Sequence, residues 1–212
     1  DYLQKDPEGD DDDDVNLTLA VPSLMPYNGI WAGILPPNKG PSPRTGQFYV
    51  YCSDYQTIFT GYGIKRSGKL LNDVWALSTI DYSWHKLRLT GDTISPRQGS
   101  SAIMMDNYIV IFGGCDDKRH FSDLHTIDVT TGEVLIAETG GQSPPASKEC
   151  ALGIYRRKLF VWGGNDKEET LDGLYILDFD TMNWTLVRCS VDIGDRFAFT
   201  PTRHHIYCYG SS

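Results

Sequence analysis

Near the end of this 212-residue chain, His204, His205, Tyr207, Cys208 and Tyr209 bring two imidazoles, two phenols and a thiol into one short run. Donors of these types can hold redox metals. Their setting argues against it. Tyr207, Cys208 and Tyr209 lie inside Ile206-Tyr207-Cys208-Tyr209-Gly210, which reads as a strand whose side chains serve the core. No other stretch supplies the remaining ligands at a recognisable spacing, and Cys115 and His125 near Asp116 make an equally thin set. No metal and no cofactor are expected.

Other chemistries are excluded on similar grounds. The five cysteines, Cys52, Cys115, Cys150, Cys189 and Cys208, are odd in number and show no Cys-x-x-Cys spacing. They signal neither a disulfide framework nor a zinc site, and they suit a reducing, cytoplasmic setting. Neither a nucleophile-base spacing nor a phosphate loop marks an enzyme. Asn16-Leu17-Thr18 and Asn183-Trp184-Thr185 match the glycosylation acceptor pattern, which is short enough to arise by chance. Net charge is −9, but residues 1–14 hold eight acids against Lys5, which leaves the remainder near −2. A body so nearly neutral lacks the basic face that nucleic acid requires. No apolar run reaches the roughly 18 residues of a membrane span.

The residues that remain informative are those that recur. Leu159-Phe160-Val161-Trp162 ends in Gly163-Gly164, a polar loop leads to Leu174-Tyr175, and Trp184 follows nine positions after Tyr175. Fifty residues earlier stand Ile109-Val110-Ile111-Phe112, Gly113-Gly114, Leu124-His125, and Val134 in the tryptophan's place. A third copy holds Thr57 to Gly61, Val74-Trp75 and Trp84, with Thr60 where the first glycine is expected. A fourth opens at Ile206. Each apolar run is too short for an ordinary helix and rich in Val, Ile and aromatics, so it reads as a strand buried on both faces. Glycines at its end permit backbone angles closed to other residues. Each unit then reads as four strands, placed in the second copy at about 99–105, 108–113, 123–128 and 133–138.

An unbroken repeat of about 50 residues made of short strands resembles the kelch motif, with Gly61, Gly113, Gly114, Gly163 and Gly164 as its glycines and Trp31, Trp75, Trp84, Tyr175 and Trp184 as its aromatic positions. The resemblance implies an all-β, kelch-type β-propeller, here partial: about three complete four-stranded blades (44–90, 97–138 and 147–188) and part of a fourth (196–212). It also implies the scaffold used by the central domain of galactose oxidase-like enzymes. Residues 1–15 are expected to be an acidic disordered tail that precedes the propeller segment, 16–212. Because kelch-type rings resemble six- or seven-bladed propellers, the chain is expected to be part of a longer protein. Trp31 is then the outer-strand tryptophan of an earlier blade, and open blade edges favour self-association.

A feature present in every blade serves the scaffold, whereas one confined to a single blade is free to serve function. Arg44, Arg97 and Arg196 open their blades and belong to the scaffold, with Ser147 breaking the series. The loops after each glycine position differ: Lys65, Arg66 and Lys69 are basic, Asp116, Asp117, Arg119 and His120 are mixed, and Asp166, Glu168 and Glu169 are acidic. With the linkers near 90–95, 139–145 and 190–195 they form one face, expected to bind a protein partner. The resemblance implies such an interaction module, or alternatively the propeller domain of an oxidase-like or specifier-type enzyme.

Overall fold

The computed structural model describes residues 33–165, 173–188 and 196–211. The acidic tail, Trp31, the three acids of the third loop (Asp166, Glu168 and Glu169) and the linker near 190–195 lie outside them. Among the described residues every element is a strand. The first sheet runs in chain order through β1 (Phe48–Cys52), β2 (Thr57–Gly61), β3 (Val74–Ser78) and β4 (Trp84–Lys86), all antiparallel. The next contains β5 (Thr90–Gly91), β6 (Ser101–Met105), β7 (Tyr108–Phe112), β8 (Leu124–Asp128) and β9 (Glu133–Ile136). The third repeats it with β10 (Gly140–Gly141), β11 (Ala151–Tyr155), β12 (Lys158–Trp162), β13 (Leu174–Asp178) and β14 (Asn183–Val187). A hairpin of β15 (Arg196–Pro201) and β16 (Ile206–Ser211) follows.

β1 packs beside β6, β6 beside β11, and β11 beside β15. The sheets therefore share an inner edge and fan outward, as blades of an all-β, kelch-type propeller segment do. Successive side chains of a strand point to opposite faces, and the β7 run uses both. Ile109 and Ile111 pack with Phe48, Val50 and Phe59 of the first blade, while Val110 and Phe112 pack with Leu159, Val161 and Trp184 of the third.

Two of the sheets have five strands rather than four. The additions come from the linkers: Thr90-Gly91 pairs in parallel with Glu133-Val134, and Gly140-Gly141 with Asn183-Trp184. Each linker thus leaves one blade and laces the outer strand of the next. The fit requires glycine, since a Cβ on Gly91 would stand 2.5 Å from the Val134 carbonyl oxygen. In the first blade Asn38 substitutes for a strand, donating to the Trp84 carbonyl at 2.6 Å and accepting from its amide at 2.8 Å.

The glycine positions of the first copy need correction. Pairing aligns Gly61 opposite Val74, Phe112 opposite Leu124, and Trp162 opposite Leu174. Gly61 is therefore the last strand residue, and the turn doublet is Tyr62-Gly63, with φ of 63° and 94°. Gly113-Gly114 shows 65° and 96°, and Gly163-Gly164 shows 63° and 96°. The register is masked in the sequence because cross-strand volume is exchanged. Phe48 faces Gly61, Ser101 faces Phe112, and Ala151 faces Trp162, so the large ring changes strands while the pair keeps one large and one small member.

The reading of Tyr207, Cys208 and Tyr209 as core is also corrected. Cys208 is exposed, and Tyr207 and Tyr209 are 64% and 87% exposed. Their strand pairs only with β15 among the described residues. At the other end of the arc Tyr49 and Tyr51 are likewise exposed.

Trp184 is 4% exposed, its ring centroid 6.3 Å from that of Phe112, and its indole N–H donates to Thr139 Oγ1 at 3.1 Å. Trp75, Trp84 and Tyr175 are half-buried. Trp184→Ala is expected to cost about 3–5 kcal/mol by removing an inter-blade ring and its hydrogen bond; an unchanged denaturant midpoint would contradict this.

A candidate partner-binding face

The loops after β2 and β7 lie on the same edge of the arc as the chain entering the next blade, since their backbones bond directly. Gly63 N–H donates to the Arg97 carbonyl at 2.8 Å and Arg97 N–H to the Leu71 carbonyl at 3.1 Å. One blade on, Gly114 N–H donates to the Ser147 carbonyl at 2.9 Å and Ser147 N–H to the Phe121 carbonyl at 3.0 Å. The opposite edge carries the short turns, where Ser83 lies 3.0 Å from His85 Nε2. Asp81 accepts the Ser83 hydroxyl at 2.8 Å and its amide at 3.1 Å, so that cluster closes an exposed hairpin turn.

Below the loop face lies a polar layer that the sequence reading only half anticipated. Arg44 pairs with Asp73, which also accepts Trp75 Nε1–H at 2.7 Å. Arg97, 2% exposed, donates to Asp123 Oδ1 at 2.6 Å, to the Gly113 carbonyl at 3.1 Å and to the Ser95 carbonyl at 3.1 Å. Burial alone would raise the carboxyl of Asp123, but His125 beside it and the Arg97 guanidinium outweigh that and bring it down to about 2. The two aspartates were missed. The signal was present: Asp73-Val74-Trp75 and Asp123-Leu124-His125 keep an acid before the third strand, and Gly173-Leu174-Tyr175 lacks it in the blade that opens with Ser147 instead of Arg.

Tyr62 and His125 join the first two blades. The Tyr62 hydroxyl lies 2.8 Å from His125 Nε2, both side chains being nearly inaccessible. His125 Nδ1 is 3.5 Å from Asp123 Oδ2, too far for a full hydrogen bond. Burial, the largest influence, lowers the His125 pKa despite that carboxylate, so the ring is neutral and Nε2 accepts the phenol hydrogen. Burial also raises the Tyr62 pKa, and the phenol stays protonated.

The predicted contact residues divide by exposure. Arg66, Lys69, Asp117 and Arg119 are exposed, Asp116 and His120 half-buried, and Lys65 is only 6% exposed, so it is withdrawn from the surface. Asp116 Oδ1 accepts the amides of Lys118 and Arg119, both at 2.8 Å, and so shapes its loop. Phe121 and Ser95 were not singled out. Together with Thr93, Ile94, Arg97, Arg119, Asp123 and Ile136 they line a cavity of about 350 Å³ between linker and loop.

Antiparallel blades that repeat one strand order, share an inner edge and are laced through their linkers define a kelch-type propeller segment. The chain belongs to the Kelch-repeat family, since the KLHDC2/KLHL20/DRC7 Kelch-repeats domain matches residues 9–210. It is 27% identical over 175 residues to acyl-CoA-binding domain-containing protein 4 of Arabidopsis thaliana, covering 82% of this chain and 26% of that protein. Similarity to the host cell factor of Drosophila melanogaster is 30% over 165 residues, 66% of this chain and 10% of that protein. The Rab9 effector protein with kelch motifs of Bos taurus is 31% identical over 111 residues, 49% of this chain and 30% of that protein. The chain thus spans a third or less of the length of these relatives.

Because the His125 pKa lies below the ordinary 6.5 in the folded protein, the unfolded chain takes up the proton first as pH falls. The stabilisation is complete above about 6.5 and lost as pH drops from there toward the folded value. His125→Gln should flatten the decline of denaturant midpoint between pH 7 and about 5. A slope equal to that of the parent protein would contradict the assignment.

Proposed function

We propose that this chain is a protein-interaction module whose loop face presents blade-specific side chains to a partner protein, in an adaptor or scaffold role. The observation that carries this reading is the division of labour between layers. The buried arginines, aspartates, Tyr62 and His125 bond to one another and to backbone, while the exposed loop above them changes from blade to blade. Groups so mutually engaged are unsuited to proton transfer with a substrate, which favours binding over catalysis. Relatives whose names describe an effector or a host cell factor support the same reading. We propose a cytoplasmic location from the buried thiols of Cys52 and Cys150.

Site-specific photo-crosslinking in cells tests the face. A benzophenone side chain at Arg66 or Asp117, on the loop edge, is expected to give a common protein adduct, and the same group at Asp54 or Arg156, on the hairpin edge, is not. Adducts from the hairpin edge alone would overturn the reading.

A further inference from the structure

Within the loop face one cleft has the features of a side-chain receptor. It lies between the linker Thr93-Ile94-Ser95 and the loop from Arg119 to Asp123, with a volume of about 350 Å³, enough for one side chain and its flanking backbone. Its floor is rigid, because the Arg97 guanidinium is held by Asp123 and two carbonyls. Two cations lie over the Phe121 ring, with Arg97 3.8 Å and Arg119 4.8 Å from its centroid. These two differ in commitment. Arg97 is buried and ion-paired, whereas Arg119 is exposed and its guanidinium meets no carboxylate within ion-pair distance among the described residues.

The contact with Phe121 places the Arg119 guanidinium at the cleft, and the planar N–H fork of a guanidinium suits the two oxygens of a carboxylate. The charged lining groups are Arg97, Arg119 and Asp123, an excess of one positive charge. Asp116, whose carboxyl the amides of Arg119 and Lys118 and, more weakly, the Arg119 charge hold below its ordinary value, is engaged by those two backbone amides. Ile94 and Ile136 supply an apolar wall beside this charge. Among the described residues the arginine–ring contact belongs to one loop: the loop residue whose carbonyl accepts from the opening residue of the following blade is Phe121 here and Leu71 in the first blade.

We propose that this cleft takes the carboxylate of a glutamate or aspartate from an extended segment of the partner protein, with Arg119 as the specificity-determining residue and Ile94 and Ile136 receiving an adjacent aliphatic side chain. The proposal rests on the loop-face reading above and specifies what that face recognises.

The probe is a rhodamine-labelled peptide, Gly-Ser-Leu-Glu-Leu-Ser-Gly, acetylated and amidated so that its only carboxylate is the side chain, followed by fluorescence anisotropy. Replacing Glu by Gln, or introducing Arg119→Glu into the protein, should weaken binding about tenfold or more. Arg156→Glu, on the hairpin edge, should leave it unchanged, and a peptide with Lys in place of Glu should prefer the Arg119→Glu protein. Thermal midpoints of both variants should match the parent, since both side chains are exposed. Equal binding of the Glu and Gln peptides, indifference to Arg119→Glu, or no binding at all would overturn the proposal. So would a phosphoserine peptide that binds about tenfold tighter than the Glu peptide, which would make the cleft a phosphate site. Failure here with loop-edge crosslinks intact would reject the cleft alone, whereas crosslinks from the hairpin edge would reject the face itself.

Discussion

The residues that open the second and third blades each exchange two backbone hydrogen bonds with the blade before, and the rest of the arrangement depends on that exchange. Residue 97 accepts from Gly63 and donates to Leu71; residue 147 accepts from Gly114 and donates to Phe121. For the donor N–H to reach across, the chain must leave the second strand through two consecutive left-handed residues. A Cβ on the second would strike the blade's own opening strand, 2.7 Å from the Thr45 carbonyl oxygen at Gly63 and 2.3 Å from Ser100 Oγ at Gly114. Glycine is required there. At the first position a Cβ on Gly113 would stand 2.3 Å from the Ser147 carbonyl oxygen, whereas in the first blade Tyr62 takes the left-handed conformation at roughly 1–2 kcal/mol and offsets it by burying its ring against Phe48 and bonding His125.

Side chains reinforce this backbone link without defining it. Arg97 joins two blades, since its backbone bonds the first and its guanidinium clamps the doublet carbonyl and aspartate of the second. In the third blade the arginine is Ser147 and the aspartate's position is Gly173, so both halves of the ion pair are absent together. A lone buried charge costs several kcal/mol, which is the physical reason the two change jointly. Ser147 instead lies against Cys150 Sγ at 3.1 Å, whose thiol burial pushes up to about 11, and a neutral contact replaces the ionic one.

Much of this was legible in the sequence because the repeat period is a property of the chain. The apolar runs, the doublets at Gly113-Gly114 and Gly163-Gly164, and the buried Trp184 follow from spacing alone. The first blade's register was not legible, because Phe48 and Gly61 exchange volumes across a strand pair that the sequence does not display. Nor were the linker strands, which are two residues long and owe their pairing to a neighbour about forty residues away. The exposed Tyr207 and Tyr209 show the limit of composition: an aromatic strand is core only where another sheet covers it. At the loop face, charge was visible residue by residue, but the burial of Lys65 and the approach of Arg119 to the Phe121 ring depend on how the loop turns back on its own blade.

Native-state hydrogen exchange at Gly63 and Gly114 tests the central dependence most directly. If the link between successive blades is what holds the arc together, both amides exchange only through the opening that also exposes the β7 amides of Ile109 and Ile111, and share their free energy of exchange. Exchange of Gly63 and Gly114 through a smaller local opening, while the β7 amides remain protected, would show that the blades hold together without it.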